Sequence, residues 1–344
     1  MKGQADMIII MQGHSPEQEI DRVARTLRQW GYDVQRFDAQ GRIILNVAGE
    51  ADMRDAASIR SDHIEKILSV EAPTRLAGRR DGAKKTQIKV RDVVIGGKDL
   101  LIIAGPCAVE SREQIGAAAA AVGSMGVKVL RGGAFKLRTS PYSFQGLDEK
   151  GLALLREAAD EHTMLAVSEI TDVRMIDAMV RHCDIIMVGT RNMHNFALLK
   201  ELGKAQKPIL LKRGFAATIE EWLLAAEYVL AGGNPDVILC ERGIRTFETA
   251  SRYTLDIAAV PAVKHLSHLP IIVDPSHAAG KTGLVAPLAR AAVAAGADGL
   301  MIEVHADPQS ALSDGGQSLA PVELKSLLGE LGAVAAAVGR RVPA

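Results

Sequence analysis

The chain has 344 residues, 48% of them hydrophobic and 24% charged, and its 41 basic side chains balance 41 acidic ones. That neutral balance argues against nucleic acid or an anionic membrane as a partner, since both select for a basic surplus, and aromatics at 3% leave little for stacking on single strands. No apolar run approaches the roughly 18 residues of a membrane span, "MKGQADMIII" has too short an apolar core for a signal peptide, and the scattered Cys107, Cys183 and Cys240 read as reduced thiols of a cytoplasmic protein.

"MIIIM" (7–11) predicts a strand. In "SPEQEIDRVARTLRQWG", Ser15 is the expected N-cap, Pro16 the first helical residue and Gln18 the capping-box partner. Ile20, Val23, Leu27 and Trp30 recur at helical spacing, and Gly31 suits the stop. "YDVQRF" and "RIILNV" predict two strands joined by the turn "DAQG", "SIRSDHIEKIL" a second helix, and "VEAPTRL" a last strand. The order β-α-β-β-α-β is that of a small ferredoxin-like α+β domain over residues 1–75. Residues 76–99, basic and glycine-rich, predict a linker and a β-hairpin.

From residue 100 to 344 an apolar strand, a loop and a helix repeat. The strands are expected in "LLIIAG", "VKVLRG", "MLAVSE", "DIIMVG", "PILLKR", "DVILCE", "PIIVDP" and "GLMIEV". Continuous apolar runs alternating with helices imply parallel strands covered on both faces. Such units in about 240 residues predict an α/β (β/α)8 TIM barrel. A doubly wound open sheet would be expected to carry GxGxxG after its first strand, and none is present.

Barrel chemistry collects at the C-terminal ends of the strands. Those ends read Cys107, Arg131, Glu169, Arg191, Lys212, Arg242, His277 and Glu303. Taken singly, a cysteine after a strand is packing and a histidine after "DPS" caps a turn. Together, Cys107, His277 and Glu303, with Asp314 from the loop after the last strand, suit a divalent metal ion of the Mn, Fe, Co or Zn kind, whereas Mg2+ and Ca2+ rarely recruit a thiolate. A second set is cationic: Arg131, Lys136, Arg138, Arg191, Lys212 and Arg242, with Arg213 and Arg245 expected behind it or at the surface. Glu169 and Glu241 are too few to balance these cations in a partly buried mouth. The matching charge is expected from phosphate and carboxylate groups of two anionic substrates, with "RTS" (138–140) as a phosphate loop.

The motifs "IAGPCAVES", "LRGGAFKLRTSPYSFQG", "GTRNMHN", "LLKRG", "ILCERGIRTFE", "DPSHA" and "IEVHADPQSALSDGGQSL" resemble those of 3-deoxy-D-arabino-heptulosonate 7-phosphate (DAHP) synthases, in the short form with an N-terminal ferredoxin-like domain. The resemblance implies a transferase that condenses phosphoenolpyruvate with erythrose 4-phosphate and water, the first step of the shikimate pathway. It implies Cys107, His277, Glu303 and Asp314 as metal ligands, the metal acting as a Lewis acid on the aldehyde. Phosphoenolpyruvate falls to Arg131, Lys136, Arg191, Lys212 and Arg242, with Glu169 beside it and the backbone of Gly189 and Thr190 contributing. Arg138, Thr139 and Ser140 take the phosphate of erythrose 4-phosphate. Glu169 and Lys136 position the attacking water, and Lys136 is the expected proton shuttle, its pKa depressed by the crowding arginines. Leu137 stands where the family usually has proline, and Thr190 where alanine is common. A homotetramer with tyrosine or phenylalanine as feedback inhibitor on residues 1–75 completes the expectation. Two other readings are a condensation with arabinose 5-phosphate, as in 3-deoxy-octulosonate 8-phosphate synthases, whose loop is "ANRSS"-like where this chain has "KLRTS", and a non-catalytic effector-binding barrel, in which losses from the metal or cation set would be expected.

Overall fold

A computed structural model describes residues 7–39, 42–49, 59–69, 74–79, 84–138 and 140–342. The chain forms two compact units, residues 1–73 and 74–344.

In the first unit β1 (Met7–Met11), α1 (Glu17–Gln29), β2 (Asp33–Ala39), β3 (Arg42–Ala48) and β4 (Ile64–Ser69) build an antiparallel sheet of order β2-β3-β1-β4. Met7, Ile9 and Met11 pack with Leu45 and Val47 against Ile20, Val23 and Leu27 of α1. Three local expectations fail here. Pro16, not Ser15, is the N-cap; Ser15 Oγ instead donates to the carbonyls of Gln12 and His63. Trp30 lies past the last helical turn and is 41% exposed. The helix expected over residues 58–68 is a strand from Ile64 onward, its first residues lying partly outside the described ones. The reason is a bulge: Met11 pairs with Ile64 but Ile9 with Ile67, the register slipping between Ile10 and Met11. A bulge puts residues three apart on one face of a strand, which imitates helical spacing. The strand expected in "VEAPTRL" falls partly outside the described residues, and Thr74–Leu76 are irregular. The backbone N–H groups of Arg75, Leu76 and Ala77 are held instead by the Glu227 carboxylate.

The second unit opens with a hairpin, β5 (Ile88–Val90) and β6 (Val93–Ile95). Eight parallel strands follow: β7 (Leu101–Gly105), β8 (Val129–Arg131), β9 (Leu165–Ile170), β10 (Ile185–Val188), β11 (Ile209–Lys212), β12 (Val237–Glu241), β13 (Ile271–Val273) and β14 (Gly299–Glu303). They close into a barrel, with β14 paired to β7. The covering helices are α2 (Arg112–Gly123), α3 (Asp148–Glu161), α4 (Ile176–His182), α5 (Phe196–Leu202), α6 (Ile219–Ala231), α7 (Ala259–Leu266), α8 (Pro275–Ala279), α9 (Thr282–Ala294) and α10 (Pro321–Ala337). Ile103, Val129, Val167, Met187, Leu210, Ile238, Ile272 and Met301 fill the interior, one from each strand, and Ile88 and Ile95 of the hairpin pack into the same cluster. One end of the barrel interior is thus sealed by apolar packing. Gly105 ends β7 at φ 146, where a Cβ would lie 2.2 Å from the carbonyl oxygen of Arg131. Only glycine lets the strand leave the barrel that close to its neighbour. Among the described residues no helix is long and apolar enough to cross a membrane.

Candidate active site

Cys107, His277, Glu303 and Asp314 come from three strand ends and one loop, yet one ligand atom of each lies within 4.8 Å of every other. Asp274 caps the short helix α8, accepting at Oδ1 from the His277 backbone N–H (3.0 Å) and at Oδ2 from His277 Nδ1 (2.8 Å). With Nδ1 committed, Nε2 is turned to the cluster, 3.3 Å from Glu303 Oε1. Burial pushes the His277 pKa down against the carboxylates of Asp274 and Glu303, which favours the neutral imidazole a cation needs. Burial would raise Glu303, but His277 and Arg131 hold it below the ordinary carboxyl value. Asp314 is likewise held down, against burial, by the Cys107 thiol, His277 and Arg252. Burial, with Glu303 beside it, pushes the Cys107 thiol up to about 12. Glu303 Oε1 is buried and accepts no well-aligned hydrogen bond among the described residues, although Arg131 Nη2 and His277 Nε2 both face it. A neutral imidazole, two carboxylates and a thiol converging with a spare acceptor fit a borderline divalent cation.

The cations surround this cluster. Arg131 is 2% exposed; its Nη2 lies 3.1 Å from Glu303 Oε1, while Nε and Nη1 meet no acceptor among the described residues. Lys136 Nζ donates to the carbonyl of Cys107 (2.9 Å) and to its Sγ (3.0 Å). Lys212, 4% exposed, donates to Asp274 Oδ2 at 2.5 Å. The Arg242 guanidinium is buried over the rings of Tyr253 (4.0 Å) and Phe215 (5.3 Å), and Arg191 lies 5.5 Å from the Phe215 ring. Arg138 donates to Ser313 Oγ, which in turn lies 3.3 Å from Cys107 Sγ. A Cβ at Gly189 would fall 1.8 Å from Glu169 Oε1, so the bare backbone there is what lets the Glu169 carboxylate cross from β9. Thr190 follows in a 3-10 turn with Arg191. Ser140 is exposed, and Thr139 lies outside the described residues.

Two expectations need correction. Ligands are not the sole source of balancing charge: Asp274 neutralises Lys212, and Glu303 faces Arg131. Arg213, expected behind the site, spans Glu241 (2.9 Å) and Asp256 (2.8 Å), and Arg245 is exposed over Phe215. The second concerns Lys136. Burial would lower its pKa, but Cys107 and Glu169 facing it raise it above the ordinary lysine value. The arginines counted as its neighbours are turned to other partners.

Sequence reasoning missed Asp274, Gln317, Ser313 and Arg252. Asp274 was within reach, since an aspartate before Pro-x-x opens a helix as its cap. Gln317 Nε2 donates to Glu303 Oε2 (2.6 Å), and Arg252 joins Gln317 to Asp314 across more than sixty residues, a spacing that carries no sequence signal.

A closed barrel whose mouth brings a candidate metal cluster beside buried cations, with Arg131 Nε and Nη1 meeting no acceptor among the described residues, fits a class: metal-assisted barrel enzymes acting on phosphorylated substrates. The chain belongs to the DAHP synthetase I family, which matches residues 82–337, and the DAHP synthase ferredoxin-like domain matches residues 7–72. It is 47% identical to the phospho-2-dehydro-3-deoxyheptonate aldolase of Thermotoga maritima over 98% of this chain and 100% of that protein. The crystal structure of a DAHP synthase from that organism superposes with a TM-score of 0.79, at 46% identity, over 98% of this chain and 100% of the other. A truncated form of the Thermotoga maritima synthase gives 0.74, at 49% identity, over 79% of this chain and 100% of its own. The 2-dehydro-3-deoxyphosphooctonate aldolase of Desulfotalea psychrophila is 31% identical over 72% of this chain and 94% of that protein.

Proposed function

We propose that the chain condenses phosphoenolpyruvate with erythrose 4-phosphate and water, giving DAHP and inorganic phosphate. The observation that carries this reading is Arg131, a buried guanidinium beside the cluster whose Nε and Nη1 meet no acceptor among the described residues. Buried donors are rarely left unmade, and a substrate carboxylate or phosphate completes this one in bidentate fashion. Lys212 and Arg242, with Arg191 at the rim, bind and orient phosphoenolpyruvate. Cys107, His277, Glu303 and Asp314 would hold a divalent ion of the Mn, Fe, Co or Zn kind, which when bound supplies a Lewis acid to the aldehyde oxygen of erythrose 4-phosphate. Arg138, Thr139 and Ser140 take the phosphate of that aldose. Lys136 acts as an ammonium: it holds charge against the developing oxyanions and gives up its proton there, while Glu169 orients the water. Carbon 3 of phosphoenolpyruvate bonds to the aldehyde carbon, whose oxygen takes up a proton. Water adds at carbon 2 and gives up its protons, its oxygen staying there as the new ketone, while the bond from carbon 2 to the phosphate oxygen breaks and phosphate leaves.

A condensation with arabinose 5-phosphate is the second reading, favoured by relatives such as the Desulfotalea psychrophila enzyme. Phosphate release from phosphoenolpyruvate is expected with erythrose 4-phosphate, and at a far lower kcat/KM with arabinose 5-phosphate. The reverse order would exchange the two readings, and no release with either aldose would leave a non-catalytic barrel.

The first unit is proposed to bind tyrosine or phenylalanine. Its sheet face opposite α1 carries Ile8, Ile10, Ile44, Leu68 and the 47% exposed Phe37, with Gln35, Asn46 and Lys66 among them. Apolar walls with a few polar groups suit an aromatic amino acid. One of the two is expected to inhibit the full chain and to have no effect once residues 1–73 are removed. Full activity of the intact chain in a large excess of both would show that the unit has another role.

A further inference from the structure

We infer that Arg252 is a positioning residue for the metal cluster, holding both carboxylates so that each offers one oxygen. Its Nη1 donates to Asp314 Oδ1 (3.1 Å) and to Gln317 Oε1 (2.9 Å), and Gln317 Nε2 donates to Glu303 Oε2 (2.6 Å). The outer oxygen of each carboxylate is therefore occupied. Asp314 Oδ2 is left facing Cys107 Sγ at 3.0 Å, and Glu303 Oε1 is left facing His277 Nε2 at 3.3 Å. The backbone of Arg252 is fixed to the element that carries the histidine: its N–H donates to the Ala279 carbonyl (3.1 Å), and the N–H of Tyr253 donates to that of Ala278 (2.9 Å). Gly280 ends α8 in the left-handed region at φ 68, and a Cβ there would fall 2.5 Å from Arg252 Cβ. One residue from the loop after β12 thus links α8 to the two carboxylate ligands. Groups behind metal ligands orient them, and their loss weakens affinity.

This inference rests on the metal reading above, and the test separates the two. Co2+ is titrated into the full metal-free chain and followed by the thiolate-to-cobalt charge-transfer band and the visible d–d bands. Wild type is expected to develop the thiolate band; its absence would sink the metal reading itself. Arg252→Met is expected to bind Co2+ about tenfold more weakly or worse. Its d–d bands should lose intensity, because a released Asp314 can ligate through both oxygens and raise the coordination number. Arg252→Lys keeps a donor on a flexible stem and is expected to recover part of the affinity. Affinity of Arg252→Met within about twofold of wild type, tighter binding, or a loss that Arg252→Lys does not reduce would overturn the assignment of Arg252 and leave the metal site standing.

Discussion

Replacing Asp274 by asparagine is expected to destabilise the barrel by about 3–5 kcal/mol at neutral pH, the usual consequence of leaving a buried charge without its partner. The change keeps the shape of the side chain and removes the charge that faces Lys212, itself 4% exposed. Burial alone would raise the Asp274 pKa, but His277 and Lys212 hold it well below the ordinary value. A carboxylate depressed in this way adds stability that is complete above its unfolded pKa of about 3.9 and is lost as pH falls through the folded value. The difference between wild type and Asp274→Asn should therefore be widest near pH 7 and shrink below about pH 4. Urea denaturation at both pH values measures it, and equal midpoints at pH 7 would show that Lys212 has another counter-charge. The same substitution loosens the Nδ1 hydrogen bond of His277, so metal affinity is expected to fall about 10- to 100-fold.

Lys136→Met is expected to lower kcat by about two to four orders of magnitude, the range lost with a positioned proton donor. Methionine fills much the same space as the lysine stem, and the variant strands no strong ion pair, because Nζ donates to the carbonyl and sulfur of Cys107 rather than to a carboxylate. The thermal midpoint should consequently change little while turnover collapses. A Gly133 Cβ would sit 2.9 Å from Lys136 Cδ, so the bare backbone beneath the stem helps fix where the ammonium lies. Single-turnover phosphate release, compared with phosphoenolpyruvate affinity, separates chemistry from binding. Near-normal turnover would remove Lys136 from the reaction and leave it as a support for Cys107.

Much of the barrel is legible in the chain because its strands are buried on both sides, and double burial writes continuous apolar runs that need no partner to be recognised. The strand ends are legible for a related reason: a charged residue directly after such a run must sit at the rim. Cys107, His277 and Glu303 could be grouped on that basis alone, and the fold brings their ligand atoms together with that of Asp314. Half-buried elements are harder. Ile64 and Ile67 carry a spacing of three that fits a helix as well as a bulged strand, and only pairing with Ile9 and Met11 decides between them.

Charge balance is a second case. Counted along the chain, the cations of the mouth look unpaired and Lys136 looks crowded by arginines. In the fold, Asp274 meets Lys212, Glu303 meets Arg131, and the thiol of Cys107 lies against Lys136. Electrostatic interaction depends on distances of a few ångströms and on burial, and neither is a property of sequence spacing. The chain by itself determined the barrel, the residue types at its mouth and the phosphate-and-metal chemistry they suit, because burial and reactivity are written residue by residue. The tertiary structure alone decided which oxygen, nitrogen or sulfur faces which, and so the sign of the shift at Lys136, the pairing at Asp274 and the reach of Arg252 to Asp314.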